Sequence, residues 1–328
     1  MTLEHQEGSS KGSVVFTSQE LPNNETITRH LEIGGKRFEV QALSRKGLSY
    51  SGEKKASEDA CVVLSDGKSL QVIVVDGGTQ IEKVPTLDEM GLTGGRYIAT
   101  KVEELGKKVD PSLSVSANLK QLNAGIGKDI KANHPSVTYK EHSKNTPYGS
   151  IAAVKVDIAS DTLEVANAGD VFVAAIGKNG VSMLLTVDDV YKEDQESFAA
   201  ARRLADKYGV SFKHVMQNRT KDPRFIEVQE ELEETMRQGN IGLIRRITGA
   251  PNFDVTSSVM VPLSILKTIY LFTDGGVPPG FSFDTREGIY KFFELVNPGL
   301  EGLSEEVKKG MLADPDYENT HVLEPWTI

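Results

Sequence analysis

The residues of this 328-residue chain best suited to chemistry form four short acidic clusters: Ser57-Glu58-Asp59, Asp76-Gly77-Gly78, Asp274-Gly275-Gly276 and Glu318-Asn319. They lie far apart in sequence, and the middle two directly follow apolar runs that read as strands. A rigid sheet can hold carboxylates at its strand ends close together while bound cationic charge offsets their repulsion, and oxygen donors suit hard cations such as Mg²⁺ or Mn²⁺. Singly, each Asp-Gly after a strand is most simply a turn. Together the four suggest carboxylates converging on a hydrated metal pair.

Strands must deliver these carboxylates. Arg37 to Leu43 alternates apolar and polar residues as a half-buried strand does. Ala60 to Leu64 and Leu70 to Val75 flank Ser65-Asp66-Gly67-Lys68, whose Asp-Gly pair suits a tight hairpin, and the second of these strands ends at Asp76. From Gly94 to Ala132 apolar residues such as Ile98, Val102, Leu119 and Ile126 recur at helical spacing and predict two helices covering a sheet face. Gly149 to Val156, Thr162 to Asn167, Val171 to Ile176 and Val181 to Thr186 predict an antiparallel run with turns at Asp161, Gly169-Asp170 and Lys178-Asn179-Gly180.

The pattern changes over 187–251 to charged, helix-forming sequence. Ser197 to Tyr208 reads as a helix stopped by Gly209. A second helix opens on Asp222-Pro223, carries a stripe of Phe225, Val228, Leu232 and Met236, and ends at Gly239. Strands return at Val255 to Val261 and Lys267 to Phe272. Helices are expected around Thr285 to Val296 and Ser304 to Leu312, and a last strand at His321-Val322-Leu323.

Runs of strands with paired helices, rather than βαβ alternation, predict an α+β protein: two antiparallel sheets packed together with helices on both outer faces, a four-layer αββα sandwich. A dinucleotide-binding Rossmann fold is excluded, because Asp76-Gly77-Gly78-Thr79-Gln80 lacks the third glycine and a helix start. The polar stretch 1–30 has no apolar core of a secretory signal and is expected as a mobile arm, leaving 31–328 as one domain with a helical insertion at about 187–251.

Composition narrows the function classes. No apolar stretch approaches the roughly 20 residues that span a bilayer. A net charge of −10 argues against nucleic-acid or anionic-membrane partners, both of which need a cationic surface. The single cysteine, Cys61, lies in an apolar run and reads as a small buried hydrophobe, consistent with a reducing, cytoplasmic location. His134, His142, His214 and His321 lack zinc-like spacing and are not assigned as ligands.

From about Gly47 onward the chain resembles the metal-dependent serine/threonine protein phosphatases of the protein phosphatase 2C family. Six landmarks occur in the family's order: Gly52-Glu53-Lys54-Lys55-Ala56-Ser57-Glu58-Asp59-Ala60, Val74-Val75-Asp76-Gly77-Gly78, Gly149-Ser150-Ile151-Ala152, Ala166-Asn167-Ala168-Gly169-Asp170, Leu271-Phe272-Thr273-Asp274-Gly275 and Glu318-Asn319. The resemblance implies two Mn²⁺ or Mg²⁺ ions bridged by Asp76. Glu58 and the carbonyl of Gly77 would help hold one ion, Asp274 and Glu318 the other, and Asp170 would contribute to a third, weaker site. It implies that a hydroxide bridging the ions attacks phosphoserine or phosphothreonine in a phosphorylated protein, so no Ser-His-Asp set or reactive cysteine is required. Lys54 takes the position of the phosphate-binding residue.

Three departures qualify the match. The family commonly has arginine where this chain has Lys54, and lysine offers a point charge instead of a bidentate grip. Many eukaryotic members carry histidine where Gly78 stands, and most members have aspartate where Glu318 stands. These motivate an alternative, a weak or inactive pseudophosphatase acting as a protein-binding module; a hydrolase of another phosphate ester is a third reading. The variable segment 187–251 occupies the place of the family's flap, expected either to select protein substrates or to act as a helical cover.

Overall fold

The computed structural model describes residues 12–20, 26–44, 58–78, 84–137, 145–218, 222–226, 245–273, 291, 294 and 326–327. In chain order its strands are β1 (Ser13–Thr17), β2 (Thr26–Ile33), β3 (Lys36–Ser44), β4 (Ala60–Ser65), β5 (Ser69–Gly77), β6 (Gly149–Asp157), β7 (Thr162–Ala168), β8 (Phe172–Gly177), β9 (Ser182–Leu184), β10 (Ser257–Pro262), β11 (Leu266–Phe272) and β12 (Trp326–Thr327). Its helices are α1 (Pro85–Glu89), α2 (Gly94–Gly106), α3 (Val115–Asn133), α4 (Tyr191–Tyr208) and α5 (Phe212–Asn218). Sheet 1 has the order β1-β4-β5-β6-β7-β10 and sheet 2 the order β2-β3-β12-β11-β8-β9. The pairings are antiparallel throughout, as expected of the α+β class.

The central strands of sheet 1 are buried on both faces, which is why Ala60–Leu64 and Val72–Val75 read as continuous apolar runs. One face, with Val62, Ile73 and Ala153, packs against Ile98 and Val102 of α2 and Leu119 and Ile126 of α3. The other, with Val63, Val72, Val74 and Val154, packs against Val173 and Leu271 of sheet 2. Each fully buried Leu, Ile or Val contributes about 1.5–3 kcal/mol. Helices thus cover the outer face of sheet 1. The helices expected around Thr285–Val296 and Ser304–Leu312 lie outside the described residues, except Lys291 and Glu294, which are helical.

Of the stretch 1–30, expected as a mobile arm, residues 13–20 and 26–30 are ordered elements, while 1–11 and 21–25 lie outside the described residues. β1 pairs with β4 and buries Phe16 completely, and β2 begins at Thr26. A five-residue edge strand needs only one buried aromatic to dock, and the polar residues flanking Val14-Val15-Phe16 mask that signal. α4 begins at Tyr191, earlier than the spacing predicts, because the Asp188 carboxylate accepts from the amides of Val190 and Tyr191, both at 2.9 Å. It ends as expected at Gly209, whose φ of 63° is left-handed. Helices α4 and α5 share a small core of their own around Leu204, Val215 and Phe225. Residues 223–226 are helical behind Asp222, whose carboxylate accepts from the Arg224 amide at 3.0 Å; Val228, Leu232, Met236 and Gly239 lie outside the described residues. So does the expected strand at His321–Leu323, while the two residues of β12 lie between β3 and β11.

Candidate functional site

β5 organises the site. Its register on β6 pairs Asp76 with Ser150 and Gly77 with Gly149. Alternation along the strand turns Asp76 to the same side as Val72 and Val74, toward the space between the sheets. Gly77 takes the opposite side, where a Cβ would overlap the carbonyls of Gly95 in α2 and Glu58 before β4. Only glycine allows strand, helix and loop backbones to meet this closely. The Gly77 amide donates to the Glu58 carbonyl at 3.1 Å, pinning Glu58 beside the end of β5. Thr93, the N-cap of α2, accepts from the Arg96 amide at 3.1 Å and donates its hydroxyl hydrogen to Glu58 Oε1.

Asp59 faces the other way and is buried. Thr273 Oγ1 donates to Asp59 Oδ2 at 3.2 Å. Asp59 precedes β4 of sheet 1 and Thr273 follows β11 of sheet 2, so this bond ties the two sheets together at the end where β5 delivers Asp76.

Asp170 sits where the chain crosses from β7 in sheet 1 to β8 in sheet 2. The preceding Gly169 has φ 90° and lies so close to Ser150, the cross-strand partner of Asp76, that a Cβ would overlap the Ser150 hydroxyl. Fully buried Asn167 braces this crossover, donating from Nδ2 to the carbonyls of Gly169 at 3.0 Å and Val187 at 2.8 Å and accepting from Ser257 Oγ at 2.6 Å.

Glu58, Asp76, Gly77 and Asp170 are therefore brought to one end of sheet 1, whereas Lys54, Asp274 and Glu318 lie outside the described residues. Among the described residues no three His, Cys, Asp or Glu side chains form a metal-holding group by themselves. The donors present fit a hard cation in kind, being carboxylate oxygens on rigid strand ends beside the residue that precedes Asp274.

Sequence reasoning passed over four residues here. Asp59 was visible only as part of its motif, and Thr93 only as a hydroxyl before a helix. Tyr148 and Arg246 gave no signal. The Tyr148 carbonyl accepts from the Gly78 amide at 2.9 Å, and its ring lies where a Cβ on Gly78 would go. The Arg246 guanidinium stacks over that ring, 4.3 Å from its centroid. Ile247 then exchanges both backbone hydrogen bonds with Gly149, at 2.9 and 3.0 Å. The loop behind it is held by Asn123 of α3, which accepts from the Gly249 amide at 2.7 Å and donates to the Ala250 carbonyl at 2.7 Å.

Two other features stand apart. A cavity of about 570 Å³ between the sheets is lined by Leu70, Val156 and Leu266, with Leu70 about 20 Å along β5 from Asp76. Cys61 is fully buried. Burial, reinforced by Glu103 and Glu20, pushes its thiol pKa well above the ordinary value, so it is no nucleophile. No described helix is long and apolar enough to cross a membrane.

No family model matches the chain, and no curated protein matches it. Among solved structures it is similar to the Mycobacterium tuberculosis serine/threonine phosphatase PstP/Ppp, at 13% identity and a TM-score of 0.46, covering 92% of this chain and 96% of that one. It is similar to the serine/threonine phosphatase Stp1 from Staphylococcus aureus, at 13% identity and a TM-score of 0.46, covering 91% and 96%. RsbX in complex with magnesium is a further likeness, at 13% identity and a TM-score of 0.43, covering 92% and 96%. Likeness this distant assigns no activity to this chain.

Proposed function

We propose that this protein is a Mg²⁺- or Mn²⁺-dependent phosphatase acting on phosphoserine and phosphothreonine in proteins. The observation that carries the reading is the Thr273–Asp59 hydrogen bond, which joins residues 214 apart in sequence and brings the strand leading to Asp274 against the Glu58-Asp59 pair beside Asp76. Glu58, Asp76, Gly77, Asp274 and Glu318 would hold two ions, with Asp170 at a third. Divalent ions bound there would acidify water and neutralise charge growing on the phosphate oxygens. The chain's own contribution is rigidity: Thr93 orients Glu58, Thr273 orients Asp59, and the β5–β6 ladder fixes Asp76. Lys54 would dock the phosphate.

The first test is hydrolysis of a phosphothreonine peptide by full-length protein with and without Mn²⁺. Turnover that requires Mn²⁺ and falls by at least about 10²-fold in Asp76→Asn supports the reading. A folded, Mn²⁺-loaded protein without turnover would leave the pseudophosphatase reading in its place. That second reading has an observation of its own: Tyr148 fills the space beside Gly78, so no side chain at that position can donate a proton to the leaving group.

Segment 187–251 would help select protein substrates. Its two roots meet at Asp189, whose carboxylate accepts from the Arg245 amide at 3.0 Å and Thr256 Oγ1 at 2.6 Å, while Asn167 ties Val187 to the Asp170 crossover. Replacing 192–242 with a short linker should erase preference among phosphopeptides while p-nitrophenyl phosphate turnover survives. An unchanged preference would make the segment a cover.

A further inference from the structure

The site end gathers Glu58, Asp59, Asp76 and Asp170, and a phosphate dianion approaching carboxylates needs a cation aimed at the same place. One guanidinium is fixed beside it. Arg246 lies between Arg245, whose amide is held by the Asp189 carboxylate, and Ile247, whose amide and carbonyl are both paired with Gly149. Gly149 is in turn the cross-strand partner of Gly77. Its backbone is thus locked to the strand that ends the site.

The side chain is oriented as well. Its guanidinium lies over the face of Tyr148, 4.3 Å from the ring centroid, and one edge of that ring abuts Gly78, whose amide donates to the Tyr148 carbonyl. Stacking on an aromatic face restricts a long side chain before any ligand arrives, so less conformational entropy is lost when its planar fork engages two phosphate oxygens. Arg246 is half-buried, which strengthens its field relative to that of a fully solvated cation.

We propose that Arg246, stacked on Tyr148, is the guanidinium that binds the phosphate group of the substrate beside Asp76-Gly77-Gly78. The inference rests on the phosphatase reading and gives the phosphate a bidentate partner that Lys54 cannot provide. It also explains why Gly78 must remain glycine: any side chain there would displace the ring that carries the guanidinium.

The test uses full-length protein loaded with Mn²⁺ and titrated with inorganic phosphate by calorimetry, alongside phosphate inhibition of p-nitrophenyl phosphate hydrolysis. Loss of a charge-assisted bidentate contact should weaken phosphate binding about 10- to 100-fold in Arg246→Gln. KM should rise more than kcat falls, with Mn²⁺ affinity and Tm unchanged. Arg246→Lys should recover part of the phosphate affinity, because the charge remains and the fork is lost. Should Arg246→Gln fail to fold, Arg246→Lys carries the test alone. Phosphate affinity equal to wild type in the folded variant overturns the proposal, as does a loss that merely follows Tm or Mn²⁺ affinity. If wild type binds phosphate through Arg246 yet hydrolyses nothing, this inference stands and the phosphatase reading falls. If wild type turns over and Arg246 is dispensable, only this inference falls, and a wild type that neither binds nor hydrolyses overturns both.

Discussion

Sheet 1 places polar side chains from β5, β6 and β7 near both of its ends, and the two ends treat them in opposite ways. At one end Gln71, Lys155 and Glu164 form a row of cross-strand neighbours beneath the start of α3. The charged groups of that row end on protein partners: Lys155 Nζ donates to the carbonyls of Ser112 at 2.8 Å and Leu113 at 3.3 Å, and Glu164 Oε1 accepts from the Val115 amide at 2.9 Å. Gln71 Oε1 accepts from Asn118 Nδ2 at 2.9 Å. A cation meets carbonyls and an anion meets a helix N-terminus, so each charge lies where the local dipoles favour it. At the other end Glu58, Asp59, Asp76 and Asp170 share one sign. Burial near one end closes the structure onto a helix start, whereas the acidic residues at the other end stand where the two sheets and α2 meet, with Glu58 held by Thr93 and Asp59 by Thr273.

The contrast makes a double dissociation the largest expected effect. Asp76→Asn should abolish Mn²⁺-dependent turnover while leaving the metal-free protein folded, since the isosteric amide keeps the β5–β6 ladder. Lys155→Met should do the reverse. It removes the donor to the Ser112 and Leu113 carbonyls and the cationic neighbour of Glu164, and should cost about 1–2 kcal/mol in a denaturant titration, with turnover per folded molecule unchanged. Loss of activity in folded Lys155→Met, or a collapse of stability in Asp76→Asn, would break the division between the ends.

How much of this could be read beforehand follows the same division. The placement of Asp76 near the end of β5 and of Asp170 between β7 and β8 was legible, because a strand followed by Asp-Gly, or a Gly-Asp turn between two strands, is a local pattern. The hairpin of β4 and β5, helices α2 and α3 and the two-sheet layering were legible for the same reason. Asp59 was harder, because its role depends on Thr273 in the other sheet, a contact no local periodicity encodes. Tyr148 and Arg246 were invisible: one lies in a turn before β6 and the other at the end of a charged insertion, and only the Ile247–Gly149 bridge brings them together. β1 was missed because an edge strand that buries Phe16 at its end shows almost no alternation. Lys155 and Glu164 lay in strands correctly expected, yet their partners belong to a loop and a helix N-terminus 43 and 49 residues earlier in the chain.

α3 joins the two ends, which allows a finer test than either substitution alone. Its N-terminus rests on Glu164, and its C-terminus ends at His134, whose Nδ1 lies 2.6 Å from Thr86 Oγ1 of α1. Tyr97 of α2 meets the imidazole edge-on at 5.0 Å and donates its hydroxyl to Asp129 Oδ2 at 2.6 Å, while Lys101 of α2 pairs with Asp129 Oδ1 at 2.9 Å. Burial holds the His134 pKa below its ordinary 6.5; nearby Asp129 opposes that shift and Lys101 reinforces it. The unfolded chain therefore takes up this proton at a higher pH than the folded protein does, so stability rises with pH across that interval. The contribution is complete above about pH 6.5 and is lost as the pH falls toward the folded value. Asp129 acts in a separate, lower window. Burial raises its pKa, but Tyr97 and Lys101 outweigh this and hold it below 3.8, so its contribution is present above that value and lost beneath it. Between pH 7 and 5.5 the denaturation midpoint should fall slightly in wild type, and His134→Gln should flatten that slope. Lys155→Met should lower the whole curve and leave the slope in place. A slope that survives His134→Gln would move the pH response away from the C-terminus of α3.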